Sequence, residues 1–523
     1  MESPNPQTES TGDIARGASW IALGNISSRV LGYVREAVKA GLFGTGAHVD
    51  ALQLALTVPN QVYDLVTGGL VNSALVPVFS AYATEGRDRR ELWRLAGAVL
   101  TVAAAGVSAL VAVLILLAPA LVSLLGREHN PAAQAQAADL LRLMLPAVVL
   151  MSLAGVLTSL LYALKRFSLP AFSTTVFNAG IVIATVLLAG RLDVAAMAVG
   201  LLFGATLQVV LQLPGIRDGL TALRLWPDLG HPGLRRVLRL YLPIVVSTII
   251  SQLSIYFALG VAWEFTGAIG WMNYATTLYQ LPLGLVGVAV SSAVLPTLAR
   301  QAAGGQEIRP TLVQGLNLVL GLIVPATLGL FVLAEPVVAT AFERGQFTAA
   351  DTQVTAAVLQ IFLSGLSFAA VDLLLINAFY AQQNTWTPSL VGVLTVLIYI
   401  GATLIFRGPF GFYSLMIADA LKQIVHACVT GWLLSRRIGG FRGSGLWPTL
   451  GRILLAGVAM SLATQASLLA VSALPLPAGV WGHLLQAGLP GLVGAGLYLW
   501  LAQRLGIGEV AWLVAQIRSR LRL

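Results

Sequence analysis

Apolar residues run through this chain in long, nearly unbroken blocks, with polar residues clustered in the short stretches between them. A membrane-crossing helix needs about 20 consecutive, mostly apolar residues. About fourteen blocks meet that length, starting near residues 17, 50, 95, 138, 171, 194, 238, 268, 312, 351, 386, 411, 450 and 480. The pattern predicts an all-α polytopic membrane protein, with no segment left over for a soluble catalytic domain. Residues 1–14 are polar, lack the basic region and cleavage site of a signal peptide, and are expected to form a disordered tail. Residues 507–523 set Val510, Val514, Ile517 and Leu521 at helical spacing beside Arg518, Arg520 and Arg522, the pattern of an interfacial amphipathic helix.

The blocks repeat. Ser73-Ala-Leu-Val-Pro77, near the end of the second span, returns as Ser292-Ala-Val-Leu-Pro296 near the end of the eighth, about 219 residues later. Tyr162-Ala163 with Pro170 returns as Tyr380-Ala381 with Pro388 at almost the same offset. Six spans per repeat is an even number, so both copies share one membrane orientation, related by a pseudo-two-fold axis along the membrane normal. The expected organisation is an N-lobe at 15–215, a cytoplasmic linker at 216–237, a C-lobe at 238–440, two further helices at 448–505, and the interfacial helix.

Within some spans the polar residues share a face. On the first, Asn25, Ser28, Arg29, Gly32, Arg35, Glu36 and Lys39 fall within a sector of about 120°. On the second, Asp50, Gln53, Thr57, Asn60, Asp64 and Thr67 share about 100°, with Pro59 expected to kink the helix. The eighth carries a neutral version in Asn273, Thr276, Thr277, Gln280, Gly284, Gly287 and Ser291, and the seventh aligns Ser247, Ser251 and Ser254. A charge at mid-bilayer costs about 3 kcal/mol or more, so these stripes face water, a counter-charge or a substrate rather than lipid. Small and hydroxyl residues also pack membrane helices together, which suffices for the seventh span. Three cations on one stripe exceed what packing needs, and suit a phosphate or pyrophosphate, which arginine binds through a planar fork of donors. Asp372, Asp419, Lys422 and His426 are further ionisable residues inside spans; Asp419 and Lys422 stand at ion-pair spacing, and a structural pair and a coupling-ion site are both open readings.

Composition fits this picture. Of 523 residues, 57% are hydrophobic and 10% charged, and mean hydropathy is +0.83. Most of the 31 basic residues lie in alternate loops, among them Arg87, Arg89, Arg90 and Arg94, then Arg235, Arg236 and Arg239, then Arg436, Arg437 and Arg442. The positive-inside rule puts both termini in the cytoplasm, and the net charge of +9 is accounted for by membrane topology rather than by nucleic acid. The lone Cys428 and five dispersed histidines offer no metal or disulfide framework, and no catalytic or nucleotide-binding signature is present.

Ser28-Arg29-Val30-Leu31-Gly32-Tyr33-Val34-Arg35-Glu36, Phe43-Gly44, Asp50-Ala51, Pro59-Asn60 and Ala74-Leu75-Val76-Pro77-Val78-Phe79 closely resemble the amino-terminal signature of the MurJ/MviN lipid II flippases. Lys165-Arg166-Phe167-Ser168, Gln212-Leu213-Pro214, Trp271-Met272, Gly345-Gln346-Phe347-Thr348 and Phe379-Tyr380-Ala381 extend the likeness in order to about residue 440. The resemblance implies two six-helix lobes and two extra helices in the multidrug/oligosaccharidyl-lipid/polysaccharide exporter superfamily. It also implies alternating access of a central cavity that translocates undecaprenyl-pyrophosphate-linked peptidoglycan precursor. It assigns importance to Arg29, Arg35 and Asp50; with the stripes, the expected substrate-binding set is Arg29, Arg35, Glu36, Lys39, Asp50, Asn60, Asp64, Asn273, Thr277 and Gln280. No bound cofactor is expected; coupling to the membrane potential or to sodium is. Expected partners are the lipid-linked precursor, membrane lipids and cell-wall synthesis proteins. Where relatives usually carry basic residues after Pro-Asn, this chain reads Tyr63-Asp64. Where they carry Asp-Arg and then Glu, it reads Tyr274-Ala275 and then Gln280. Another polyprenyl-linked glycan as substrate, or a transport-inactive scaffold, therefore stays open at this point.

Overall fold

Backbone N–H and C=O groups in hydrocarbon must bond within their own segment, which leaves helices or closed barrels. The computed structural model describes residues 11–63, 75–83, 89–125, 131–219, 221–223, 226–239 and 253–510, and its regular structure among these is entirely helical. The helices are α1 (Thr11–Phe43), α2 (Ala47–Tyr63), α3 (Val76–Ala83), α4 (Arg89–Leu125), α5 (Pro131–Ala163), α6 (Ser168–Ala171), α7 (Ser173–Leu192), α8 (Ala195–Gln212) and α9 (Leu253–Ala262). They continue with α10 (Ala268–Pro282), α11 (Ala289–Ala303), α12 (Arg309–Val332), α13 (Ala334–Phe342), α14 (Ala349–Ala381), α15 (Trp386–Phe410), α16 (Tyr413–Arg437), α17 (Leu446–Ser472) and α18 (Val480–Arg504).

Ten helical segments among the described residues are long and apolar enough to cross a membrane. The expected count of fourteen is therefore not reproduced by length and composition alone. α1, α2 and α16 fall outside the ten, and these are the helices that carry Arg29, Arg35, Glu36 and Lys39, then Asp50, then Asp419, Lys422 and His426. Three further departures have local causes. α1 starts at Thr11, inside the stretch expected to be a disordered tail, because extending a helix already nucleated by the apolar span costs little. α10 and α11 are one continuous rod joined by a π-helical turn, Leu283–Val288; it follows Pro282, which has no N–H to donate. Of the expected interfacial helix, residues 511–523 lie outside the described residues. Its first residues pack against the protein: Ile507 and Val510 are buried, and Asn317 of α12 donates to Oε1 of Glu509 at 3.0 Å.

The chain divides into two compact units, Met1–Ile269 and Gly270–Leu523. In the first, α5 is buried along most of its length and packs against α2, α4 and α8, while α1 lies on α7 and α7 on α8. The α7–α8 pair meets through glycine. A Cβ at Gly204 would stand 2.5 Å from the carbonyl oxygen of Phe177, and one at Gly180 would stand 2.7 Å from Cα of Gly204. Only residues without a side chain allow backbones this close. The loop at 216–237 folds back on the start of α4: Arg94 pairs with Asp228 at 2.7 Å, and Gly219 leaves room for the ring of Trp93.

In the second unit, α14 is the central helix, packed by α11, α12, α13 and α16, with α15 against α16. α17 and α18 form a hairpin that docks on α12 and α13. Thr348 and Asp351 start α14 with a reciprocal capping box, satisfying two of the free N–H groups at its first turn. Replacing Gly204 by Val should force α7 and α8 apart and cost about 1–3 kcal/mol. The melting temperature of the purified protein in detergent should fall by several degrees; an unchanged melt would contradict the glycine contact.

Candidate functional site

The polar stripe of α1 is exposed at one end and buried at the other. Gly24 rests against the backbone of Ala171, where a Cβ would stand 2.0 Å from the carbonyl oxygen, and Ser27 Oγ lies 2.9 Å from Thr175 Oγ1 on α7. These contacts fix which face of α1 turns inward. The face left accessible has two flanks. Leu23, Ile26 and Val30 form an apolar flank that suits lipid; Asn25 and Arg29, also exposed, form a polar one. Arg29 makes no hydrogen bond or ion pair among the described residues, and it lies near the middle of a 33-residue helix. A guanidinium there needs water or an anion.

Further along α1 the same stripe goes under cover. Glu36 and Lys39 are buried, Lys39 to 1% exposure. Glu36 serves two cations: Arg35 donates to its Oε1 through Nη2 at 2.9 Å and Nε at 3.2 Å, and Lys39 pairs with its Oε2. The remaining fork of Arg35 donates through Nη1 to Oδ1 of Asn178 on α7 at 3.0 Å, and the amide of Asn178 donates to the carbonyl of Thr174 at 3.0 Å. Among the described residues the cluster groups Arg35 and Lys39 around Glu36.

On α2 the exposure gradient follows the same order. Asp50 and Gln53, beside the turn that joins α1 to α2, are buried; Asn60 is exposed. Asp50 lies in the first turn of α2, where a carboxylate complements the helix dipole, and accepts from the backbone N–H of Gly267 at 2.5 Å. Gly267 has φ +87°, a conformation that other residues resist, which lets the turn after α9 aim its N–H at the carboxylate. Asp64, expected on the same stripe, lies outside the described residues, as do Ser247 and Ser251 of the seventh span.

In the second unit, α10 is two-faced as its periodicity predicts. Tyr274, Ala275, Leu278 and Tyr279 are buried, while Gln280 is exposed and Asn273, Thr276 and Thr277 are half-buried. Tyr274 stacks among Phe342 and Phe347, with centroids 5.0 and 5.4 Å away. The Gly345-Gln346-Phe347-Thr348 motif therefore serves packing here. Thr277 Oγ1 donates to the carbonyl of Asn273 at 3.0 Å.

The structure thus brings Arg35, Glu36 and Lys39 together, leaves Arg29 and Asn60 accessible, and puts Asn273, Thr277 and Gln280 on the more open side of α10. Sequence reasoning missed Asn178 and Gly267. The only signal for Asn178 was a lone amide in an apolar helix, and for Gly267 there was none.

The arrangement can hold an anion against Arg29 with the buried cluster as a fixed positive background. Replacing Glu36 by Gln leaves the buried Lys39 and the half-buried Arg35 without their carboxylate and should cost about 3 kcal/mol, read as a large drop in melting temperature. Arg29→Ala should leave the melt unchanged. Equal melts for wild type and Glu36→Gln would contradict the cluster. Thr277→Arg should insert and fold, because its side chain has access to water; loss of the folded protein in membranes would contradict that placement.

A family model described as lipid II flippase MurJ matches residues 39–478. The lipid II flippase MurJ of Burkholderia cenocepacia is 31% identical over 454 residues, covering 83% of this chain and 86% of that protein. The probable lipid II flippase MurJ of Haemophilus influenzae is 29% identical over 425 residues, covering 76% and 82%. Among solved structures, a lipid II flippase MurJ in an inward closed conformation superposes with TM-score 0.75 at 22% identity, covering 92% of this chain and 97% of that one. An inward-facing multidrug transporter of the MATE family superposes with TM-score 0.61 at 15% identity, covering 79% and 94%. These structural likenesses are likenesses of fold.

Proposed function

The chain belongs to the MurJ family of lipid II flippases, and from that membership we propose that it translocates undecaprenyl-pyrophosphate-linked peptidoglycan precursor across the bacterial cytoplasmic membrane by alternating access. It is a multi-pass membrane protein and a transporter rather than an enzyme. In this reading both termini are cytoplasmic, as the alternation of basic loops supports. Cell-wall synthesis proteins are its partners. The driving force is an electrochemical one, the membrane potential or a cation gradient, sodium or proton.

One observation carries the reading: Arg29, which has no hydrogen bond or ion pair among the described residues, stands exposed on the polar flank of α1, on the same stripe as the Arg35–Glu36–Lys39 cluster. A pyrophosphate is the group that such a flank would take. Arg29 supplies the planar fork of donors, and Arg35, Lys39 and Glu36 set the local potential without needing to touch the ligand. Asp50 acts differently: by holding the turn at Gly267 it fixes the approach of the chain segment after α9 to the start of α2. Asn60, Asp64, Asn273, Thr277 and Gln280 offer hydrogen bonds to the glycan and peptide, and the polyprenyl tail remains in lipid.

Depletion and rescue tests this. In a bacterium depleted of its own lipid II flippase, the wild-type chain should restore growth. Arg29→Ala should reduce rescue at least tenfold in plating efficiency while reaching the membrane at wild-type level. Failure of the wild-type chain to rescue would overturn lipid II as the substrate and favour another polyprenyl-linked glycan. Full rescue by both Arg29→Ala and Arg35→Ala would overturn the phosphate-binding role.

A further inference from the structure

The second unit buries an ionisable pair of its own, made of residues not assigned to substrate. Nδ1 of His426 on α16 stands 2.8 Å from Oδ1 of Asp372 on α14. The two side chains are 12% and 10% exposed. Thr430, one turn further along α16, brings its Oγ1 to 3.3 Å from the same nitrogen. His426 lies about 20 Å from one end of α16 and about 17 Å from the other, so the pair sits at mid-span.

Among the described residues, the other groups around it do not neutralise it. Lys422 and Asp419, one and two turns earlier on α16, hold each other at 2.6 Å and together add no net charge. From α15, Tyr399 places its ring 5.4 Å from the Lys422 ammonium; from α10, Tyr279 lies within electrostatic reach of Asp419. Nε2 of His426, the ring nitrogen turned away from Asp372, faces Gly392 of α15, where even a Cβ would lie 3.9 Å off. With the imidazole protonated, Asp372 and His426 balance. With it neutral, a carboxylate is left uncompensated deep in a membrane span, at a cost of several kcal/mol. The two states therefore favour different surroundings: a dry, closed packing of α14 and α16 when the proton is bound, a hydrated one when it is gone.

We propose that Asp372 and His426 form a proton-binding site that couples the conformational cycle of the protein to the proton gradient. The proton adds to Nε2 of the neutral imidazole and leaves from it, with no bond between heavy atoms made or broken. Imidazole is the side chain whose charge ordinarily changes near neutral pH, which fits a site that must load and unload. A sodium ion is the poorer occupant. Hard cations seek oxygen ligands, the imidazole nitrogen already occupies Asp372, and no cluster of three metal-capable side chains is present among the described residues. The coupling half of the proposal rests on the transport reading above; the binding half does not.

Two measurements on the full-length purified protein separate them. Proton uptake on stepping a weakly buffered detergent solution from pH 8 to pH 5, followed with a pH dye, should be lower by about one proton per chain in His426→Gln than in wild type. Asp372→Asn, which removes the carboxylate and keeps the shape, should also give an uptake curve different from that of wild type. In proteoliposomes containing lipid II, an imposed proton gradient should accelerate flipping by wild type several-fold, and His426→Gln should lose that acceleration while retaining its gradient-independent rate. Identical uptake curves for wild type and both variants would overturn the site. Altered uptake with unchanged gradient dependence would overturn the coupling. Acceleration by a sodium gradient alone would overturn the choice of ion. Should wild type not flip lipid II at all, the transport reading fails, while the uptake curves still decide whether the site binds a proton. If His426→Gln does not elute as folded protein, Asp372→Asn decides both measurements.

Discussion

A charge inside hydrocarbon must meet water, a counter-charge or a ligand, and the arrangement of this chain follows from where each charge finds one. Glu36 supplies the counter-charge for Arg35 and Lys39, and Asp372 for His426. Arg29 has no such partner among the described residues, and stays on the accessible polar flank of α1. The same constraint sorts the helices. Those long and apolar enough to pass as membrane spans form the bulk of the two units, whereas α1, α2 and α16, which fall outside that set, carry most of these ionisable groups; Asp372 on α14 is the exception. These polar helices are held by contacts that do not depend on hydrophobicity: Gly24 against Ala171, Asp50 against the N–H of Gly267, Asp372 against His426.

The consequence for function is a division of labour along α1. Toward Phe43 the stripe is sealed, and its charges are fixed by a network that includes Asn178; toward the middle of the helix it is open, and Arg29 is uncommitted. Under the proposed function, fixed charge behind the Arg29 guanidinium would act as a preorganised anion site, since the buried cluster need not rearrange when the ligand arrives. The second unit repeats the two-faced helix in α10 with neutral groups only, its packed side built on Tyr274, Phe342 and Phe347. A glycan and a peptide need hydrogen bonds more than charge, and in the proposed reading Asn273, Thr277 and Gln280 are the groups that would supply them.

Much of this was legible in the sequence, for definite reasons. Apolar blocks of span length announce helices because no other backbone arrangement of a single segment satisfies itself in lipid. The stripes of α1, α2 and α10 were visible because a period near 3.6 residues brings Asn25, Arg29 and Gly32 onto one side without any knowledge of the partners. Helix ends were less legible, since α1 and α4 continue past the hydrocarbon thickness at no cost that composition records. Partnerships between helices were not legible at all. Arg35 and Asn178 are 143 residues apart, Asp50 and Gly267 are 217 apart, and Asp372 and His426 are 54 apart. Spacing on one helix suggested Asp419 with Lys422, which the structure pairs; it had no means of suggesting that His426 would turn instead to α14.

The account turns on whether Arg29 lies in an aqueous chamber that receives a phosphorylated headgroup. The most direct measurement is thiol accessibility in living cells, using Arg29→Cys in a Cys428→Ser background, since Cys428 is the only native cysteine. A membrane-impermeant maleimide should label the introduced thiol, Val30→Cys on the adjoining apolar flank should resist labelling, and accumulation of lipid II should slow the labelling at position 29. A thiol at position 29 that stays as unreactive as one at position 30, in every condition that traps the transporter, would contradict the chamber and with it the mechanism built on Arg29.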